Sequence, residues 1–565
     1  MDNLDSNSQD TVTGSRALVW AGLSAILLLA ALLRYLGITW GLPNELHLFS
    51  YHPDEFHSLR GAISLMSGDF NPHFFNYGSL YLYLVGFCCL LFSGAEASIV
   101  ASDQLPQLLQ VWTLIGREVT ITAALLTVVA VYWLARRISD HRLGLIAAVL
   151  CSVFPIHVLH SHYATVDVTQ VLFITLALLF AVRIYQNPSG FSYVLAGLAV
   201  GLAASTKYNG ALVIVAPLTA HILGLLREES EGVRSRNLLS LVGMALVAFA
   251  LTSPYTLLDW PQARQDIAYE LQHMRIGEEP ARSADPCGYW FHLVTLTITT
   301  TGATVLAVLG AWALLRTQRY RGPAIILVVF GVIWLAMIGA SGVRYMRYEL
   351  ALVPVLAVLA AASPLLVWRG RAEWKLTAIL ALAAVIGTSG YYSLQLGREL
   401  RETDDRDRIL WVVTEYVPQH QTVGTIWEPW FQGPPLDYVN GGTVLRRNPL
   451  WQKYSRPVRP LVTLGLDAKA LQELAPYAVT YSNFEIRDAL RVGQTSPIEF
   501  MAALEANYRK IWEGQTRAPL AGCCGWVPPQ DWLYPFPALD LWVAKHAIAG
   551  TETSSKPVDT PVKTD

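Results

Sequence analysis

Residues 51–75 read YHPDEFHSLRGAISLMSGDFNPHFF and follow directly on a long apolar run. Their first ten positions hold His52, Asp54, Glu55, His57 and Arg60. Within DEFHSLRGAISLM, Phe56, Leu59, Ile63 and Met66 fall near helical spacing, so an amphipathic helix lying along a membrane surface is expected. Such a helix would hold two adjacent carboxylates at a fixed depth, just where a first membrane helix emerges.

The surroundings are apolar enough for that reading. The 565 residues are 53% hydrophobic and only 15% charged, with mean hydropathy +0.36; soluble domains carry about a quarter charged residues. A polytopic membrane protein is implied, and the net charge of −2 leaves no basic footprint for nucleic acid. The opening MDNLDSNSQDTVTGSR is polar and acidic, unlike the basic start of a signal peptide, so residues 1–16 are expected to be a cytoplasmic tail and 17–40 a retained first helix. Six cysteines show no metal-ligand spacing and no disulfide framework; the vicinal Cys523 and Cys524 could pair only with Cys287.

Apolar runs of membrane-crossing character occur near 17–40, 76–99, 117–136, 142–160, 166–186, 190–206, 209–226, 237–256, 293–315, 322–342, 349–368 and 375–395. About 11–13 transmembrane helices are expected. From 397 the character changes to short β-like runs (TVGTIW, PLVTL, YAVTYS, LDLWVAKH) between helical stretches, which reads as one α/β domain over 397–548 with a disordered tail at 549–565. Basic clusters at Arg136/Arg137/Arg142, Arg183, Arg227/Arg234/Arg236, Arg316/Arg319/Arg321 and Arg369/Arg371/Lys375 fall in every second loop and mark the cytoplasmic face. Loops 41–75 and 257–290 and the α/β domain then lie outside. Parity requires 76–99 to cross twice or not at all, so a membrane-embedded hairpin or a surface-lying helix is expected there.

Chemistry-bearing residues gather on that outer face. Asp167, in HSHYATVDVTQVLF, sits at the mouth of the fifth apolar run, where a carboxylate is costly and points to function. Lys207 and Tyr208 lie in STKYNG, and Arg344, Arg347 and Tyr348 in RYMRYEL. Acids facing cations at one membrane edge suit a reaction that deprotonates an acceptor and stabilises a departing phosphate.

Taken in order, HPDE (52–55), Asp167, STKYNG (205–210), TSPYTLLD (252–259) and RYMRYELALVPVLA (344–357) resemble the GT-C glycosyltransferases over residues 17–395. The branch they look most like is the protein O-mannosyltransferase and aminoarabinose transferase group, which uses polyprenyl-phosphate-linked sugars. The resemblance implies a GT-C fold in the plasma membrane, a polyprenyl-phosphate sugar donor, and a glycan, lipid or protein acceptor. It makes Asp54 the catalytic base, Glu55 its assistant, and Asp167 a positioning acid. Should a divalent metal such as Mg or Mn be used, Asp54 and Asp167 would be its ligands. Lys207, Arg347, Tyr208, Arg344, Tyr348 and His52 are the expected substrate-binding residues, and displacement would invert the anomeric centre.

The chain departs from that group in two places. PHFFNYGSLYLYL (72–84) replaces a Lys-Pro-Pro stretch, with His73 as a substitute cation, and loop 257–290 has no room for an inserted acceptor domain. His157, His160 and His162 precede Asp167 with spacing that admits either a metal site or interfacial hydrogen bonding. ELQHMRIGEE (270–279) resembles a second surface helix, able to gate an acceptor. The competing reading is a transporter or lipid-linked sugar flippase; it would place ionisable groups near the midplane rather than at one face.

Overall fold

The structure, a computed structural model, describes residues 3–93, 104–227, 235–367, 372–515 and 517–548. The 549–565 tail, the region around 100 and the basic residues Arg234, Arg369 and Arg371 lie outside the described residues.

Each apolar run becomes a helix, as it must where no water is present to satisfy the backbone. The first eight are α1 (Asn3–Tyr35), α2 (Glu55–Met66), α3 (Leu80–Phe92), α4 (Leu105–Ile138), α5 (His141–Val153), α6 (Pro155–His160), α7 (Val166–Gln186) and α8 (Gly190–Thr206). Among the described residues seven helices are long and apolar enough to cross a membrane, and Gly288–Thr299 with Ala303–Arg316 adds a pair bent by 99°. Four further apolar helices are shorter. Together these units coincide with the runs read from hydropathy.

Three boundaries differ from expectation. Helix α1 starts at Asn3, inside the segment read as a tail. Helix α4 starts at Leu105 rather than near 117, because Arg117 and Glu118 depress hydropathy in a continuous helix of 34 residues; at 1.5 Å per residue it is about 51 Å long. Helix α3 has 13 residues, about 20 Å, against a hydrocarbon core of about 30 Å. It packs against α2 instead, in backbone contact: a Cβ on Gly61 would lie 2.4 Å from the Leu82 carbonyl oxygen. Small residues work the same way between α8 and Ser235–Thr252, where Cβ atoms on Gly197 and Gly201 would meet the carbonyls of Leu241 and Ala245.

The C-terminal region is α/β. Its strands are β1 (Val423–Thr425), β2 (Leu461–Thr463), β3 (Ala478–Ser482), β4 (Tyr508–Glu513) and β5 (Leu539–Ala544), ordered β2-β1-β3-β5-β4. The β1 strand is parallel to both neighbours, whereas β5 is antiparallel to both of its own. Apolar side chains such as Ile426, Val479, Phe500, Leu504 and Trp542 form a core on one face. The sheet carries its own core but does not stand apart from the helices. Phe49 exchanges backbone hydrogen bonds with the Asn440 amide (2.9 and 3.1 Å), the Leu48 N–H donates to the Tyr438 carbonyl (2.8 Å), and Trp40 Nε1 donates to Asp404 (3.0 Å). Arg406, fully buried, stacks 3.8 Å over the Tyr51 ring. The cysteines, Cys287, Cys523 and Cys524 included, are free.

Candidate active site

Asp54 is the N-cap residue of α2. Its Oδ2 accepts from Arg347 Nη1 at 2.8 Å, and Arg347 opens the 3-10 turn Met346–Leu352. That turn is held from the C-terminal domain: Asp531 accepts the backbone N–H groups of Met346 (3.2 Å) and Arg347 (2.9 Å). The guanidinium also lies 4.3 Å over the Tyr345 ring, so its plane is fixed on one side by an aromatic and on another by a carboxylate.

A second acid–cation pair sits behind the first. Asp167 occupies the first turn of α7, where the helix dipole favours a carboxylate. It accepts from Lys207 Nζ at 2.8 Å, and Lys207 directly follows α8. The ammonium is 4.7 Å from the Tyr348 ring and 5.6 Å from that of Tyr77. Those two tyrosines, Asp54 and Arg347 form one wall of a cavity of about 400 Å³. Tyr269, Glu270 and His273, from the outer helix Trp260–Ile276, form a second wall. Trp427, Trp430, Glu485 and Tyr534 close it from the C-terminal domain.

The other expected site residues are engaged elsewhere. Glu55 is fully buried, its two oxygens taken by Arg117 Nε and Nη2 (2.8 Å each) and by the Ala164 N–H (2.7 Å). It therefore bolts α2 to α4 and to the turn before α7, and acts on Asp54 only by positioning it. His52 is buried between the Tyr163 and Tyr534 rings and accepts the Asp54 N–H through Nδ1 at 3.2 Å. Tyr208 donates to the Phe75 carbonyl (3.0 Å), pinning the outer loop. Arg344 binds the carbonyls of Asp285 and Ser341 and does not line the cavity of Asp54. His73 is exposed and paired with Asp69.

Charge at the site follows from these contacts. Burial alone would push the Asp54 carboxyl up, but the Arg347 guanidinium, with help from His52, His57 and Lys207, brings it below the ordinary carboxylate value. Burial holds the imidazoles of His52 and His57 down, to about 4 each, so both are neutral. Asp531 is raised to about 6 by burial, against the pull of Arg347 and the backbone N–H groups it accepts.

The donor set does not fit a metal ion. Among the described residues no three His, Cys, Asp or Glu side chains converge on one point, and Asp54 and Asp167 each already carry a cation. His157 is bound to Arg34 Nη2 at 2.7 Å, and His162 is held at the carbonyls of Val158 and Leu36.

Sequence reading missed Arg117, Asp531 and the aromatic walls. Arg117 carried a usable signal, an arginine inside an apolar segment; Asp531 and the tryptophans lie in a domain of short elements whose pattern names no facing side.

Residues 81–257 match the family model of dolichyl-phosphate-mannose-protein mannosyltransferases. No curated protein matches. Among solved structures, the chain is similar to the archaeal oligosaccharyltransferase AglB from Archaeoglobus fulgidus, in complex with an inhibitory peptide and a dolichol-phosphate: 12% identity, 89% of this chain and 74% of that one covered, TM-score 0.50. It is similar also to ArnT from Cupriavidus metallidurans bound to undecaprenyl phosphate, with 14% identity, 94% and 98% covered, and TM-score 0.49. The arabinofuranosyltransferase AftD from Mycobacteria gives 14% identity, 94% and 40% covered, and TM-score 0.41. The fold is GT-C, a polytopic helical membrane module carrying a C-terminal α/β domain.

Proposed function

We propose that this chain is a membrane glycosyltransferase that moves a sugar from a polyprenyl-phosphate carrier to an acceptor at the extracytoplasmic face of the plasma membrane. The observation that carries the reading is the Asp54–Arg347 pair at the wall of a cavity bounded by both parts of the molecule. The dolichol-phosphate on the archaeal oligosaccharyltransferase and the matched family model supply the carrier class.

Asp54 is charged at neutral pH, which a general base must be. It takes the proton from an acceptor hydroxyl or amine as that group attacks the anomeric carbon. The bond from that carbon to the phosphate oxygen breaks, the configuration inverts, and polyprenyl phosphate leaves with one more negative charge. Arg347 spends one N–H on Asp54 and has others to offer; these, with Lys207, offset the charge that grows on the phosphate. Base and leaving group thus share one guanidinium, and acceptor deprotonation and phosphate departure occur within its reach. No metal has a role in this scheme. EDTA is expected to leave turnover unchanged, and a requirement for added Mg or Mn would remove Arg347 and Lys207 as the charge partners.

The test is release of polyprenyl phosphate by the purified chain in lipid nanodiscs, given a panel of polyprenyl-phosphate sugars and an envelope extract. Release that vanishes in Asp54→Asn supports the transferase. Carrier translocation without release, indifferent to Asp54→Asn, would put the flippase in its place.

A further inference from the structure

A second cavity, of about 790 Å³, adjoins the first and shares with it Pro53, Tyr269, Trp427, Trp430 and Gln432. Its size falls in the ~300–1,000 Å³ range of small-ligand sites. The shared rings are unusually open for their size: Tyr269 is 64% exposed, Trp427 51% and Trp430 39%. On the far side, the Arg60 guanidinium lies 5.0 Å from the Phe74 ring and 5.9 Å from that of Phe56. Unlike Arg347 and Arg117, Arg60 makes no hydrogen bond or ion pair among the described residues. The carboxylate that influences it, Asp266, is occupied by the Phe75 N–H (2.8 Å) and the Gln262 amide (2.7 Å). The acid lining this cavity, Glu428, is already neutralised by Arg446 (3.4 Å) and Arg447 (3.7 Å).

Open indole faces beside a buried-stem, unpaired arginine make a particular kind of site. Flat π faces accept the apolar C–H face of a sugar ring, and a cation with spare N–H groups binds a carboxylate or phosphate on that sugar. Pro53, which directly precedes the candidate base, borders both cavities, so a ligand here presents its end to Asp54. We propose that the second cavity is the acceptor site and that its acceptor is an acidic glycan, its rings stacked on Trp427 and Trp430 and its anionic group on Arg60. This rests on the transferase reading and adds the acceptor class to it.

Binding to the full chain in nanodiscs tests it, using trigalacturonate, mannose 6-phosphate, neutral maltotriose and a glutamate-rich hexapeptide as probes. Trigalacturonate or mannose 6-phosphate should bind more tightly than maltotriose, and which of the two is tighter identifies the acid. Arg60→Gln should weaken the acidic probe about tenfold and leave maltotriose unchanged, while Arg60→Lys restores most of the loss. Trp430→Ala should weaken both sugars, with an unshifted melting temperature verifying the fold. Acidic and neutral sugars binding alike, indifference to both substitutions, or preference for the peptide would each overturn the proposal. Asp54→Asn separates the two readings: intact acidic-glycan binding with donor turnover unaffected by that change removes the transferase and spares the site, whereas the reverse pattern removes only the site.

Discussion

Asp54 and Glu55 are neighbours in sequence with opposite fates, and the difference lies in which arginine each meets. Asp54 meets Arg347 at a cavity wall, and Glu55 meets Arg117 in the interior. Loss of a positioned base typically costs about 10²–10⁴ in rate. Asp54→Asn is therefore expected to cut polyprenyl phosphate release by that order while donor binding persists, since Arg347 and Lys207 remain. The Glu55–Arg117 pair should behave differently, because both side chains are fully buried. Arg117→Met alone strands a buried carboxylate and is expected to destabilise the chain by about 3–5 kcal/mol. The double change Glu55→Gln with Arg117→Met should recover most of that loss, measured as thermal unfolding in detergent. A double variant as unstable as the single one would contradict the pairing. Sequence pattern reaches only part of this. Asp54 and Arg347 stand in polar patches at helix ends, where charge is conspicuous. Arg117 is 62 residues from its partner, and nothing local marks the two as a pair.

At the level of elements, the 3-10 turn Met346–Leu352 is the piece on which the site turns. Asp531 accepts two of its backbone N–H groups, a job best done by an ionised carboxylate. Its value of about 6 means the acceptor charge is complete above that pH and is lost as pH falls through it. Asp54, held below the ordinary carboxylate range, stays ionised over the same interval. The acidic limb of the kcat/KM profile is thus expected near pH 6 and to belong to Asp531, so Asp531→Asn should abolish the limb while lowering the plateau. Glu485, raised to about 7 by burial, provides the control: Glu485→Gln should leave the limb where it was. A limb that survives in Asp531→Asn would reassign it to another group. The helices themselves were legible because a bilayer leaves the backbone one solution per apolar run. Their ends were less so. Hydropathy placed the start of α4 near 117 because Arg117 and Glu118 look like an edge, yet the helix continues through them with the arginine neutralised across the bundle. The open question over 76–99 turned on packing rather than composition: the glycine contact between α2 and α3 is a tertiary fact.

For the whole molecule, the consequential feature is that two architectures share one site. Composition separates them at about 397, and short β-like runs suffice to name the second as α/β. What composition cannot supply is how the sheet domain sits, because side chains that dock, such as Asn440, Asp531 and Trp430, look like ordinary loop residues until both surfaces are present. The docking is extensive in kind: backbone exchange at Phe49 and Leu48, ion pairing of Arg491 with Asp285 (3.3 Å), and the Asp531 clamp on the arginine turn. By contrast the covalent connection after the last membrane helix is exposed at residues 401–403. Covalent continuity there should consequently be dispensable. With a protease recognition sequence inserted after Glu402, cleavage of the folded protein in nanodiscs is expected to leave the C-terminal fragment bound through affinity purification, with donor turnover within about twofold of the uncut protein. Adding Asp531→Ala and Asn440→Ala to the cut protein should release the fragment and turnover together, because the cavity then loses its tryptophan wall and Arg347 its clamp. Release of the fragment on cleavage alone would mean that the interface is too weak to complete the site, and turnover by the membrane module without the fragment would confine catalysis to Asp54, Arg347, Asp167 and Lys207.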